Sequence, residues 1–454
     1  MNEQRKTIAV IGSGIAGLSA AWRLAETHDV TVFEADSRPG GHAHTVDTSI
    51  EGQPVSVDTG FIVYNELNYP NFTPMLDHLG VETAASDMSF AASLNDGGFE
   101  YAGSGLTSLF AQKRNLLRPR MWRMLSDIIR LYRNAEQESE RARNQTLDEF
   151  LSERGFSREF RDDHILPMCA AIWSSPAATM ADYPARTFFD FFTNHGLLNF
   201  SDRPAWRTIR NGSRNYVNAL LKAFKGTLEC NHPITSVRRG TGQVTLHFAD
   251  HPARTFNDVV FACHSDQALR LIENPTETES QLLGAIRYQP NTAWLHTDTR
   301  LMPRRRSVWS SWNYISQTVA DDPQDKISLT YWMNRLQPLP TETPVLVTLN
   351  PDIEPAANTV LHVDEYDHPV YTPDAVAAQE QIWTIQGENN TWFAGAWLGF
   401  GFHEDGLQSG LAVAEALGAP VRPWGLDNCL TRIHWPGHIP SAETRSPHLR
   451  EAAE

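Results

Sequence analysis

The segment Gly12-Ser13-Gly14-Ile15-Ala16-Gly17 has the residue types and spacing to hold a pyrophosphate. In such a loop the first glycine permits a tight turn, the second lets bare backbone approach the phosphates, and the third lets a helix pack on a strand. Glycine turns of this pattern also occur by chance, so the flanking elements carry the argument. Thr7-Ile8-Ala9-Val10-Ile11 precedes the loop as a strand. Leu18-Ser19-Ala20-Ala21-Trp22-Arg23-Leu24-Ala25 follows it as a helix, whose unpaired N-terminal N–H groups face the phosphates. A second strand, Val30-Thr31-Val32-Phe33, ends on Glu34, about 20 residues beyond the first glycine, where a carboxylate accepts the ribose hydroxyls. A carboxylate there repels a 2′-phosphate, so the pattern predicts NAD or FAD and disfavours NADP. The other reactive residue types form no such pattern. His195, His264, His296, His368 and His403 fall on different elements without HxxxH or HExxH spacing, and Cys169, Cys230, Cys263 and Cys429 include no CxxC. No metal site is expected from them, and the cysteine usage fits a reduced cytoplasm.

These residues need a large scaffold. At 454 residues, 41% of them hydrophobic, the chain can bury an extensive core in two or three domains. Its net charge of -16 argues against a nucleic-acid binder, because phosphate affinity comes from clustered Lys and Arg. Residues 1–6 are polar and lead straight into the first strand, so no signal-peptide core is expected, and no apolar run is long enough to span a bilayer. Residues 65–210 read as largely helical, with apolar periodicity over 121–132, 146–153 and 185–192. Four strand-like runs follow at 293–296, 308–314, 327–333 and 345–349. Trp309, Trp312, Tyr331 and Trp332 on these runs read either as ordinary core or as the wall of a pocket for a long apolar molecule. Residues 113–133 reverse the local charge, with Lys113, Arg114, Arg118, Arg120, Arg123, Arg130 and Arg133 set among Leu116, Leu117, Met121, Trp122, Leu125, Ile128 and Ile129 against the single acid Asp127. Such a stretch is either a solvated helix paired with acids elsewhere or a surface for anionic lipid.

The continuation Gly40-Gly41-His42, then Val57-Asp58-Thr59-Gly60-Phe61 and, far downstream, Trp392-Phe393-Ala394-Gly395 with Gly399-Phe400-Gly401-Phe402-His403-Glu404-Asp405-Gly406, resembles the amine oxidase and phytoene desaturase superfamily of flavoproteins. The resemblance runs to about residue 418. It implies an α/β architecture: a discontinuous Rossmann-like FAD-binding domain (1–64, 211–268 and 381–420) with an inserted α+β substrate domain (65–210 and 269–380), similar to amine oxidases and p-hydroxybenzoate hydroxylase, and a C-terminal tail at 421–454. It implies that FAD meets Gly12, Gly14, Ile15, Ala16, Gly17, Glu34, Ala35, Gly40, Gly41, His42, Thr59 and Gly60. Val237 would meet the adenine edge through its backbone, and Gly395, Ala396, Asp405, Gly406 and Leu407 would complete the site. The N-terminus of a helix over 407–417 would face the flavin pyrimidine, where its partial positive charge stabilises negative charge on the ring. His403 and Glu404 fall at the isoalloxazine edge, where either could serve as a base.

The sequence departs from the family pattern in several places. Ala396-Trp397 stands where an acidic residue usually holds the ribitol chain, His42 replaces an arginine, and the stretch Tyr288-Gln289-Pro290-Asn291-Thr292-Ala293 lacks the lysine that amine oxidases often place near the flavin. Covalent members attach the ring through a cysteine, and none lies between Cys263 and Cys429, so non-covalent FAD is expected, with His368 as the alternative attachment point. Met88-Ser89-Phe90, Ala171-Ile172-Trp173-Ser174 and Ser311-Trp312-Asn313-Tyr314 further resemble a bacterial group associated with methyl-branched membrane fatty acids. The leading expectation is a desaturase or dehydrogenase acting on an apolar lipid, with the electron acceptor open. An amine or amino-acid oxidase, a flavin-dependent isomerase and a non-catalytic flavin-binding scaffold are the alternatives.

Overall fold

A computed structural model describes residues 5–142, 145–173, 177–199, 204–316, 328–425 and 430–436. Ser174, Cys429 and most of the expected C-terminal tail lie outside the described residues. A five-stranded parallel sheet runs in the order Thr227–Glu229, Asp29–Phe33, Thr7–Ile11, Asp258–Phe261, Thr391–Phe393. Parallel strands are covered on both faces, which is why they read as nearly unbroken apolar runs. The helices Ile15–Leu24 and His403–Ala416 cover one face through Ala16, Ala20, Leu24, Val413 and Ala414 against Ile8, Val10, Val32 and Val260. On the other face, Ala9, Ile11, Phe33, Val259 and Phe261 meet the antiparallel strands Ile234–Gly240, Gln243–Phe248 and Arg254–Phe256 and the helix Glu277–Gly284.

A seven-stranded sheet lies apart from this layer, in the order Val360–Val370, Arg287–His296, Leu346–Leu349, Ser328–Trp332, Trp312–Ile315, Phe90–Leu94, Phe99–Ala102. All its pairs are antiparallel except Trp312–Ile315 with Phe90–Leu94. Helices Pro119–Arg133, Leu147–Glu153, Leu166–Trp173 and Ala185–Asn194 pack beside it around Phe150, Phe160, Phe188, Phe189 and Phe192. Helix Leu147–Glu153 starts where the pattern predicts, because the Thr146 hydroxyl accepts from the Glu149 N–H while the Glu149 carboxylate accepts from the Thr146 N–H.

Residues 65–210 are largely helical, as their periodicity suggests, but they also hold strands that the reading did not anticipate. Phe90–Leu94 and Phe99–Ala102 from that segment complete the large sheet, and the unanticipated Val360–Val370 forms its opposite edge. Phe90–Leu94 contains no β-branched residue, so its strand character comes from its neighbours and not from propensity. The strand expected at 308–314 begins only at Trp312; Trp309 before it packs on Trp332 at 5.4 Å and Trp312 on Tyr331 at 5.0 Å, both edge to face.

Candidate active site

The glycine loop lies at the carboxyl ends of the parallel strands, where open α/β sheets bind ligands. A Cβ on Gly17 would fall 1.9 Å from the Gly12 carbonyl oxygen, so the third glycine is required for the turn to close. Gly14 is different: a Cβ there meets nothing within 4 Å, and the residue has ordinary extended backbone as the cap of helix Ile15–Leu24. The second glycine pair folds back onto this loop. The Gly40 N–H donates to the Ser13 carbonyl at 3.0 Å, and a Cβ on Gly41 would lie 3.1 Å from Gly14 Cα. Gly60 lies against the His42 carbonyl, which accepts from the Phe61 N–H at 2.8 Å. At the mouth of the loop, Glu34 accepts from the Ser13 N–H at 2.9 Å and from the Asp36 N–H at 2.9 Å, while Ala35 beside it is exposed. Val237 is fully buried, and its carbonyl accepts from the Glu273 N–H at 3.1 Å.

The second half of the site comes from the far end of the chain. The Gly395 N–H donates to Ser409 Oγ at 2.9 Å, and Ala396 opens a short turn into the loop before helix His403–Ala416. That helix crosses helix Ile15–Leu24 closely enough that a Cβ on Gly406 would lie 2.9 Å from Ile15 Cγ2, and one on Gly410 2.2 Å from the Ala16 carbonyl. The N-termini of both helices are thereby brought to the same region as the glycine loop. Leu407 is fully buried in the core between them.

The two candidate bases are engaged in structural contacts. Glu404 is fully buried and accepts from the Asn71 N–H at 3.1 Å, Asn71 Nδ2 at 2.7 Å, the Phe72 N–H at 3.0 Å and Gln408 Nε2 at 2.9 Å. Its carboxylate therefore caps helix Phe72–Leu79, which corrects the expectation that it serves as a base. Burial pushes this carboxyl up to about 7 in spite of the opposing hydrogen bonds. His403 stacks on Phe61 at 3.8 Å, and its Nε2 lies 2.6 Å from the Tyr216 hydroxyl. Burial pushes the imidazole down to about 3, so it is neutral, and Nε2 is taken by the tyrosine O–H. Asp405 is also fully buried; its side chain accepts from the Phe402 N–H at 2.7 Å and from Arg432 Nε at 2.6 Å, and its own N–H donates to the Phe402 carbonyl at 3.0 Å.

A group of imidazoles adjoins the second glycine pair. His42 lies 5.1 Å from Tyr366, 5.6 Å from His368 and 6.1 Å from His264, ring centre to ring centre. Burial, followed by the neighbouring histidines, holds His42 well below its ordinary value, and burial pushes His368 down to about 4. His368 Nδ1 accepts from Asn291 Nδ2 at 2.8 Å. Thr59 Oγ1 lies 2.8 Å from the Tyr366 hydroxyl. An open cavity of about 450 Å³ lined by Arg5, Thr7, His28, Lys225 and Arg254 sits at the opposite ends of the parallel strands, away from all of these groups.

Residues 15–418 match the family described as flavin containing amine oxidoreductase. The chain belongs to that family. FAD is its cofactor, and its class is that of an FAD-dependent oxidoreductase. The residues present fit the group: open space above Gly14, a carboxylate at the end of the second strand, and two helix N-termini on the same region. The L-amino acid oxidase Lm29 of Lachesis muta is 48% identical over 48 residues, so the chain spans only 9% of the length of that curated relative. Solved structures of similar fold include cyclohexylamine oxidase from Brevibacterium oxydans IH-35A, with 15% identity over 91% of this chain and 100% of that one and a TM-score of 0.64. A CLA-producing fatty acid isomerase from P. acnes is 17% identical over 90% of this chain and 97% of its own, with a TM-score of 0.63. Putrescine oxidase bound to putrescine is 14% identical over 92% and 100%, also with a TM-score of 0.63.

Several residues of the site escaped the sequence reading. Arg432 falls in the segment read as tail, yet its side chain is almost wholly buried against Asp405 and it donates to the Asn68 carbonyl at 3.0 Å. Asp58, noted only as part of a motif, accepts from Thr45 Oγ1, the Ser213 N–H and hydroxyl, and Gln337 Nε2, tying three segments together around the glycine turn.

Gly14→Val places a branched side chain in the open space above the loop without touching the fold. The variant is expected to keep its far-UV circular dichroism and lose its bound FAD; a folded variant that is as yellow as wild type would falsify the assignment. Glu404 tests the buried carboxylate. Because its folded-state pKa of about 7 is raised from 4.5, this group favours the folded state fully below pH 4.5, and that stability is lost as pH rises to 7. Glu404→Gln removes the dependence. Its stability relative to wild type should therefore improve by on the order of 3 kcal/mol between those limits, measured by urea unfolding at pH 4.5 and pH 8. A pH-independent difference would show that folding leaves the pKa of Glu404 where it is in the unfolded chain.

Proposed function

We propose that this oxidoreductase removes two hydrogens from an apolar lipid chain, in the manner of a desaturase or dehydrogenase. Bound FAD supplies the acceptor for a hydride equivalent, and the protein holds the substrate and excludes water. The observation that carries the reading is the surroundings of the loop before helix His403–Ala416. Phe402 stacks on Phe191 at 4.9 Å, Phe400 lies 6.1 Å from the same ring, and Trp173 packs on Phe191 at 4.9 Å. The nearby acids are already engaged, Glu404 as a helix cap and Asp405 with Arg432, so neither is available to an ammonium group. That the same fold is used by a fatty acid isomerase supports an acyl substrate and favours isomerisation as the second reading, in which the product keeps the substrate's mass.

The test is anaerobic mixing of the yellow protein with phospholipid acyl chains on one side and with primary amines and amino acids on the other. Bleaching of the visible flavin absorbance by the lipid, with a product lighter by two hydrogens, is expected. Bleaching by amines alone, with hydrogen peroxide formed in air, would overturn the reading.

We further propose that the enzyme meets its lipid at an anionic membrane surface through residues 106–129. No helix among the described residues is long and apolar enough to cross a membrane. Leu106, Leu116, Leu117, Trp122 and Ile129 are exposed there, Leu117 at 88% and Leu106 at 77%. The positive charge is smaller than the sequence suggests, because Arg120, Arg123 and Arg130 pair with Asp163, Glu159 and Asp127. The apolar side chains therefore carry most of the attraction, with Lys113 and Arg114 at the surface beside them. Wild type should sediment with anionic phospholipid vesicles, and Leu117→Asp with Trp122→Asp should remain in the supernatant. Equal sedimentation of the two proteins, or none by wild type, removes the surface from the proposal.

A further inference from the structure

His44, His362 and Asp364 come from opposite ends of the chain and meet beside the second glycine pair. His362 and Asp364 are two residues apart on strand Val360–Val370 and so point to one face, with Tyr366 and His368 following in the same row. His44 stands opposite them, two residues after His42. Its Nδ1 lies 2.9 Å from Asp364 Oδ2, and His362 Nε2 lies 3.1 Å from Asp364 Oδ1. One ligating atom from each residue lies within 4.8 Å of the other two. Donors held at about 2.0–2.1 Å around a tetrahedral ion are roughly 3.4 Å apart, so these atoms need only small shifts to share one.

A second observation points the same way. His362 Nε2 is buried and faces the Asp364 carboxylate at 3.1 Å off the ideal hydrogen-bond geometry, so the nitrogen and the oxygen are placed to share a cation. The carboxylate is also held from behind, as metal-binding carboxylates are: Thr59 Oγ1 lies 3.1 Å and the Tyr366 hydroxyl 3.3 Å from Asp364 Oδ2. The His362 side chain as a whole is 37% exposed, which places the site close to solvent.

We propose that His44, His362 and Asp364 form a site for a divalent cation of the zinc type, clipping the glycine-pair turn to the edge strand of the seven-stranded sheet. Two imidazole nitrogens and one carboxylate are a borderline-soft donor set that suits Zn²⁺ better than Mg²⁺ or Ca²⁺. Three protein ligands leave the fourth position to water. The sequence shows no metal motif because only His362-Val363-Asp364 is local, and the third ligand is supplied by the fold. The site does not depend on the identity of the substrate.

The experiment uses tag-free, flavin-loaded protein, dialysed against a chelator and then titrated with ZnCl₂ in a calorimeter. One equivalent should bind, and His44→Ala, His362→Ala and Asp364→Asn should each weaken it at least tenfold while flavin absorbance and circular dichroism stay as in wild type. Asp364→Asn keeps the shape, exchanges one acceptor oxygen for an N–H donor and removes the anionic ligand; its unchanged circular dichroism and flavin absorbance separate a loss of binding from misfolding. His232 and His251 stack at 4.2 Å elsewhere on the surface and provide the control. His251→Ala should bind as wild type does. Absence of binding by wild type, binding unchanged in the three variants, or loss of binding in His251→Ala would each overturn the site and leave the triad as a hydrogen-bonded cluster.

Discussion

The close crossing of helix Ile15–Leu24 and helix His403–Ala416 is the constraint on which the rest of the site depends. Gly406 over Ile15 and Gly410 over the Ala16 carbonyl leave no room for a side chain, and only at that separation do both helix N-termini reach the glycine loop. Each N-terminus has unpaired N–H groups and a partial positive charge. Two of them acting on one anionic ligand provide more than either could. The second glycine pair, packed on Gly14, completes the same wall from a third direction.

The price of that convergence is a helix buried along nearly its whole length, with two carboxylates in its first turn and no water to solvate them. The structure resolves this in two ways. Burial raises the Asp405 carboxyl, and pairing with Arg432, which reaches it from beyond the helix and also fastens the Asn68 carbonyl, opposes that shift. Glu404 instead collects N–H donors from the start of helix Phe72–Leu79 and is shifted toward neutrality by burial. Both residues therefore fix the position of neighbouring elements. Breaking a buried ion pair by removing one partner is strongly destabilising, so Asp405 and Arg432 are tied to the fold as a pair.

The glycine loop, Glu34 and the strand at Thr391–Phe393 were legible because each is a local pattern whose meaning follows from backbone geometry. The helices at 121–132, 146–153 and 185–192 were legible for the same reason, as periodic apolar faces. Arg432 was not, because a single arginine among turn residues has no pattern, and its burial exists only once Asp405 has been placed opposite it. Strand Val360–Val370 was hidden by its charges: as an edge strand it alternates polar residues with partly buried ones, and it owes its order to pairing with Arg287–His296. The role of Glu404 was misread because its position in sequence beside the cofactor loop does not tell which way the carboxylate points. The imidazole group around His42 could not be seen as a group, since its members come from three separate segments.

The strand order of the parallel sheet also fixes when the protein can become functional during its synthesis. Thr7–Ile11 and Asp29–Phe33 leave the ribosome first, but the neighbour on the other side, Asp258–Phe261, follows only after the whole helical segment, and Thr391–Phe393 follows later still. Long-range parallel pairing of this kind is slow and leaves strand edges open in the meantime. Until His403–Ala416 docks on Ile15–Leu24, the nascent chain holds half of a cradle, with an exposed apolar face and no complete place for the cofactor. Cofactor capture is thus a late event in biogenesis, and interrupted translation products carry the glycine loop without the means to keep a flavin on it.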